Sequence, residues 1–265
     1  MDFVWHLMSD IFLSFLHNTN PCFCVWIARF SKLRKTTLNL TKSLIFRALF
    51  FKHLMEKLLP LFPLPLVSFP GESLNLHIFE PRYRQLIEEC ETEGILFGIP
   101  AYINGNVMDV GTTIQLQKVE KRYANGALDV VTKGLGLFRI QQFYREAPGK
   151  LYAGAEVQSL DGDTQSDPIR AEKILDLLRQ LFALLHLERK IPEILEDFRT
   201  YDWGHHVGFS LEEEYKLLCV PDENGRQEVM LEHLERVLPT VKEMENLRQR
   251  VLMNGHFKDI IPPKL

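Results

Sequence analysis

Two periods divide this chain. Between positions 58 and 160, short apolar stretches alternate with polar residues and are punctuated by turns; after position 168 apolar residues recur every three or four positions. Residues 58–67 are apolar but carry Pro60, Pro63 and Pro65, which suits an edge or irregular strand. Phe69-Pro-Gly-Glu72 is a turn signal. Residues 73–79 alternate, with Leu74, Leu76 and Ile78 on one face. Glu80-Pro81 opens a helix, because proline is tolerated in a first turn and glutamate favours its positive end. Tyr83, Leu86, Ile87 and Cys90 then fall at helical spacing to about Glu93, and Gly94 stops the run. Further strands are predicted over 95–99, 112–122, 128–133, 136–143 and 151–159, with hairpin-type turns at Asn104-Gly105 and Asn125-Gly126. Strands at this spacing with glycine at the corners predict a small closed or half-closed barrel.

Residues 161–168 form a polar linker that ends in a helix-cap signal, Asp167 with Pro168 at the first helical position. Beyond it Ile174, Leu177/Leu178, Leu181 and Leu184/Leu185 make one apolar stripe. Shorter helices are predicted over 193–200 and 211–218, the second opened by a capping box of Ser210 and Glu213. One or two more helices follow over 229–251, with Pro239 marking a break. The order is strands first and helices second, without βαβ alternation. The fold class is therefore α+β, with a β-rich part over 55–160 and a helical part over 168–254.

Charge adds a second division. The 265 residues are 46% apolar and 25% charged, with a formal net charge of −4. Residues 1–54 hold seven Lys/Arg and two Asp, a net of +5; the remainder holds 24 Lys/Arg and 33 Asp/Glu, a net of −9. The first part also carries eight of the 18 phenylalanines and no glycine. Its longest charge-free run, residues 11–28, is interrupted by His17-Asn-Thr-Asn-Pro21, a poor spanning helix. Residues 1–54 are expected to lie outside the working protein, with a membrane-associating leader or a targeting sequence as the alternatives. Residues 55–265 are expected to bind no membrane. Four scattered cysteines make no disulfide framework, so a reducing, cytoplasmic setting is expected.

Motifs that carry chemistry are scarce. There is no phosphate-cradling P-loop sequence and no Gly-x-Ser-x-Gly elbow. Gly134-Leu-Gly136 resembles the start of a dinucleotide loop, but Arg139 stands where the third glycine belongs; a tight strand corner is expected there instead. His205-His206, near Asp202 and Cys219, lacks the short ligand spacing of a zinc site and is expected to be exposed or helix-terminal. No metal or cofactor is expected. His77 is expected to be packed or hydrogen-bonded, and Cys90 to be buried rather than reactive. Glu88-Glu89 and Glu212-Glu-Glu214 read as solvated helix faces. Glu80, near Arg82 and Arg84, is expected to lock strand to helix. Nucleic-acid binding would want a basic face; the net of −9 argues against it, and Lys118, Lys121, Arg122 and Lys133 are the only local basic cluster.

Several of these blocks, in order, resemble a known family. Leu59-Pro-Leu-Phe-Pro-Leu64, Phe69-Pro-Gly71 and Leu76-His-Ile-Phe-Glu-Pro-Arg-Tyr83 resemble the opening signature of the LON substrate-binding domain. That domain opens ATP-dependent Lon proteases and also occurs in cereblon-like proteins and as a stand-alone bacterial protein. Asp109-Val-Gly-Thr112 is similar to the next block of the family. Gly134-Leu-Gly-Leu-Phe-Arg-Ile140 is similar to its Gly-x-x-Arg-Phe-Arg-Ile element, with Leu137 in place of a basic residue. Residues 210–218 resemble its E-K-Q-x-L-L helix.

Over roughly residues 57–253 the resemblance implies a PUA-like β pseudo-barrel followed by a helical bundle. It also implies recognition of an unfolded polypeptide or a protein partner. The motif residues Pro63, Leu64, Pro70, Gly71, His77, Phe79, Glu80, Pro81, Arg82, Tyr83, Gly134, Phe138 and Arg139 are expected to be structural. The sequence carries neither the ATPase nor the Ser-Lys protease module of a full Lon, so the resemblance implies no catalytic residue. A PUA-like RNA-binding module is the alternative.

Overall fold

The computed structural model describes residues 58–160, 162, 165–188 and 198–255. Six strands come first: β1 (Leu58–Leu61), β2 (Ser73–Ile78), β3 (Phe97–Ile103), β4 (Asn106–Arg122), β5 (Leu128–Tyr144) and β6 (Ala153–Leu160). Helix α1 (Pro81–Glu93) stands between β2 and β3. After β6 come α2 (Pro168–Leu184), a 3-10 helix (Thr200–His206), α3 (Leu211–Cys219) and α4 (Glu223–Gly255). Among the described residues no helix is long and apolar enough to cross a membrane.

The strands run β2-β5-β4-β3-β1-β6, and β6 also pairs with β5. The second pairing closes β1, β3, β4, β5 and β6 into a five-stranded barrel and leaves β2 appended outside the ring. The length of β5 makes this possible. Its first part, Leu128 to Lys133, carries β2, and its second part, Leu137 to Tyr144, carries β6. Three register shifts in β4 against β5 supply the curvature that closure needs. Asn104 and Gly105, both at positive φ (50° and 84°), turn β3 into β4 as a two-residue hairpin. This pseudo-barrel followed by helices is the fold class expected from the sequence.

Four local expectations need correction. β1 is not an edge strand: it lies between β3 and β6. Pro60 is accommodated because β1 meets β3 at a single register pair, Leu61 with Gly98, so a donor at Pro60 is not required on that side. The chain then continues irregularly, with one bridge from Leu64 to Ala101. Gly134-Leu-Gly136 is not a corner; β5 runs straight through it. The extra residue, Leu135, is absorbed as a bulge between the Thr113–Gly136 and Ile114–Gly134 pairs. Pro239 does not break α4, because it and Glu235 are exposed, and water can satisfy the carbonyl that proline leaves unpaired. The stripe on α2 is shifted: Leu175 and Phe182 join Ile174, Leu178 and Leu181 in the core, while Leu185 is exposed. Most of the helix expected over 193–200 lies outside the described residues; Thr200 begins the 3-10 helix instead.

Helix α1 packs on the wall of the barrel formed by β3, β4 and the first part of β5, while Leu61, Phe138 and Ala155 fill the ring itself. Tyr83, Leu86, Ile87 and Cys90 pack on Phe97, Ile99, Ile114, Leu128 and Val130. Gly94, in the left-handed conformation (φ 69°), donates to the Cys90 carbonyl and ends the helix. The helical half shares a core with the barrel. Leu175, Leu178, Phe182, Trp203, Leu217 and Met230 pack with Val67, Phe69, Ala101, Ile103 and Val110. Asp167 caps α2 by accepting from the N–H groups of Ile169 and Arg170, and Ser210 with Glu213 forms the capping box of α3.

Candidate functional site

The signature residues divide into those that build the frame and those that it presents. Tyr83 is buried, its ring 3.8 Å from that of Phe62. Phe138 is buried between β1 and β6 with Leu61 and Ala155. Two glycines make room for it: a Cβ on Gly98 or on Gly111 would stand 2.6 Å from the Phe138 ring. Gly134 passes against the Phe69 carbonyl, where a Cβ would stand at 2.5 Å, and Gly71 turns at φ 88°. Leu64 carries the isolated bridge to β3; Pro63 beside it and Pro70 in the following turn are half-buried. These positions hold the strand–turn–helix corner in place.

Other signature residues face outward. β2 alternates exposed and half-buried residues, so Ser73, Asn75 and His77 point away from the barrel while Leu74 and Leu76 lean on its core. Phe79 follows and is 65% exposed. His77 Nδ1 lies 2.6 Å from Asp129 Oδ1 on β5, and Tyr123 donates to the other oxygen of Asp129 at 2.6 Å. These two bonds hold the Asp129 carboxyl below its ordinary range. The rings of Phe79 and Tyr123 stand 6.2 and 5.6 Å from the imidazole, and the Lys121 ammonium sits 4.5 Å from the centre of the Tyr123 ring. His77 is thus hydrogen-bonded, as the sequence suggests, but on the surface rather than in the core.

Glu80 joins strand to helix through its backbone as well as its side chain. Its carbonyl accepts from Tyr83 and Arg84 N–H, while its carboxylate pairs with Arg82 at 2.7 Å. Pro81 occupies the first helical position. Arg84 reaches away, to the Asn125 carbonyl in the β4–β5 turn. The result is an exposed corner of aromatic rings, Phe79, His77 and Tyr123, rimmed by the charges of Arg82, Lys121 and Asp129. Arg139 is not part of it; it is exposed on the far half of β5, opposite Gln158.

The turn that leads into β2 is tied to the helical half. Glu72 accepts from Phe69 N–H at 3.0 Å and lies 3.4 Å from His205 Nε2, while His205 Nδ1 lies 2.8 Å from Glu214 on α3. Bonding to Glu214 and then to Glu72 raises His205 to about 9, despite partial burial. Burial pushes Glu72 up, but its bonds from His205 and Phe69 outweigh this and leave it lowered. Sequence reading expected the histidine pair to be exposed or terminal. His205 is exposed and stands in the last turn of the 3-10 helix, as expected; what the sequence did not show is that it also clamps two carboxylates, because one of them lies 133 positions away. The Phe69 ring sits against it, 4.8 Å from the imidazole and 5.0 Å from Tyr201.

Of the four basic residues of the local cluster, three are occupied. Lys118 pairs with Glu120, Arg122 with Glu91, and Lys121 covers Tyr123. Cys90 is buried, its thiol pushed up to about 12 by burial and the neighbouring Glu89. Among the described residues no group of three His, Cys, Asp or Glu is placed to hold a metal.

With this geometry in hand, the chain can be set beside known proteins. The family model described as the ATP-dependent protease La (LON) substrate-binding domain matches residues 58–236, more than half of the chain. No curated protein sequence matches the chain. Among solved structures, a Lon N-terminal domain protein from Xanthomonas campestris superposes with a TM-score of 0.54 at 24% identity, covering 66% of this chain and 96% of its own. The N-terminal domain of a Mycobacterium avium complex Lon protease does so with a TM-score of 0.52 at 15% identity, covering 68% and 98%. At these identities the two structures share the fold.

Proposed function

We propose a function from one premise: this chain belongs to the LON substrate-binding domain family. The family supports a substrate-binding role. We infer that the protein is a non-catalytic receptor that recognises unfolded segments of polypeptide, in work linked to protein quality control in the cytoplasm. The observation that carries this reading is the aromatic corner at Phe79. A phenylalanine 65% open to solvent, braced by the His77–Asp129–Tyr123 bonds, is a prepaid apolar contact that folding alone does not require. Unfolded chains offer the complementary chemistry, apolar side chains that have not found a core.

The occupied basic side chains on β4 support polypeptide over RNA, since a cation already paired with a carboxylate releases fewer counterions on meeting phosphate. The direct test is an NMR titration with a permanently unfolded model protein. Binding at or below high-micromolar concentration, with shifts centred on Phe79, His77 and Tyr123, is expected. An absence of binding at that concentration would overturn the receptor reading.

A further inference from the structure

Because β2 lies outside the closed ring, one of its edges has no neighbouring strand among the described residues. β2 pairs with β5 from Ser73 opposite Lys133 to Ile78 opposite Leu128, without a register shift. The backbone groups that face β5 are fixed by two contacts. Gly134 N–H donates to the Glu72 carbonyl at 2.8 Å, and the Thr132 hydroxyl donates to the Leu74 carbonyl at 2.9 Å. Antiparallel ladders alternate, so Leu76 and Ile78 also face β5. The N–H and C=O groups of Ser73, Asn75 and His77 therefore point to the open side. Among the described residues no strand stands there and no backbone hydrogen bond reaches those groups.

Proteins commonly guard such an edge with lysine, proline, a bulge or a covering element. The strand Ser-Leu-Asn-Leu-His-Ile has none of the first three. β4, by contrast, is bulged at three places where it pairs with β5. Beside the open edge, Leu74 and Leu76 remain half-buried on the inner side, and the exposed Phe79 ring stands at its end.

We propose that β2 captures an extended segment of unfolded polypeptide by strand addition, the segment becoming a seventh strand. This rests on the receptor reading above and specifies its mode of binding. Alternating donors and acceptors at strand spacing are matched by an extended main chain. The added strand would place alternate side chains beside Leu74 and Leu76 and the others in water. The preferred segment is therefore amphipathic at every second residue, free of proline at the bonding positions, and apolar where it passes Phe79. Main-chain bonding would supply affinity without demanding a particular sequence, which suits a receptor for many chains.

The test is amide hydrogen exchange on the whole protein, with a capped peptide of alternating valine and threonine as the probe. The amides of Ser73, Asn75 and His77 should exchange fast alone and slow on the order of tenfold with saturating peptide. Those of Leu74, Leu76 and Ile78, already bonded to β5, should change little. A matched peptide with proline at every second position should not bind. Asn75→Pro removes one donor on the open side only, and should weaken binding by about tenfold. If that variant unfolds, exchange in the unaltered protein decides alone. Binding without protection of the three amides overturns strand addition and leaves the receptor reading standing. Protection already present without peptide, together with a dimeric mass, assigns the edge to a second copy and overturns it too. An absence of binding by both the peptide and an unfolded protein removes both readings.

Discussion

Removing the proton from His205 should loosen the turn that launches β2 from the helical half. The imidazolium lies between Glu214 and Glu72, and these raise its pKa from an ordinary 6.5 to about 9. At about 1.4 kcal/mol for each tenfold change in proton affinity, this difference corresponds to about 3 kcal/mol. The His205 side chain is 30% exposed, and screening by water reduces the retained part to roughly 1–2 kcal/mol. The sign follows from linkage. The folded protein binds this proton more tightly than the unfolded chain, so the stabilisation is complete below the ordinary value of 6.5 and is lost as pH rises through about 9. At the acid end Glu72, whose folded pKa is lowered, loses its contribution as pH falls through that lowered value. Urea unfolding of the wild type and His205→Gln, followed by tryptophan fluorescence at about pH 6 and about pH 10, isolates the effect. The wild type should lose roughly 1–2 kcal/mol more than the variant across that interval. Parallel losses in the two proteins would refute the clamp.

Two further predictions concern the frame. Gly111→Ala should cost about 2–3 kcal/mol in the same unfolding assay, because the new methyl would meet the Phe138 ring at 2.6 Å and the Ile99 carbonyl at 2.7 Å; Gly136→Ala, with nothing within 4 Å, should stay within about 0.5 kcal/mol of wild type. Glu223→Gln should cost about 3 kcal/mol or more, since Glu223 is buried and its carboxylate bonds Arg226 at 2.8 Å and Thr200 at 2.7 and 2.8 Å; an unfolding midpoint unchanged from wild type would contradict this.

The parts of the fold written in short-range pattern were legible in the sequence. Alternation in 73–79, helical spacing in 83–90, the Asn104-Gly105 turn and the Asp167 and Ser210 caps each depend on residues a few positions apart. What was not legible depends on neighbours distant in the chain. β1 reads as an edge because of its prolines; its central place is set by β3 and β6. The Gly134-Leu-Gly136 element reads as a corner because glycine usually bends a strand. Here glycine lets the strand pass the Phe69 carbonyl, and the bulge is set by β4. Pro239 reads as a break because its exposure on α4 is a tertiary fact.

The candidate site was legible only in its residues. The signature singled out His77 and Phe79, but packing separates the buried Tyr83 and Phe138 from the exposed Phe79. Asp129 and Tyr123, which complete the corner, carry no motif. The open edge of β2 likewise follows from topology, since the same alternating sequence would suit a strand inside the ring.

The central claim is that the corner at Phe79 receives unfolded polypeptide. An equilibrium titration of a permanently unfolded, fluorescently labelled protein against the wild type and Phe79→Ser tests it most directly. Since the ring is exposed, the variant should fold as before, and its affinity should fall by about tenfold, the loss of one good apolar contact. Equal affinities for the two proteins would contradict the account.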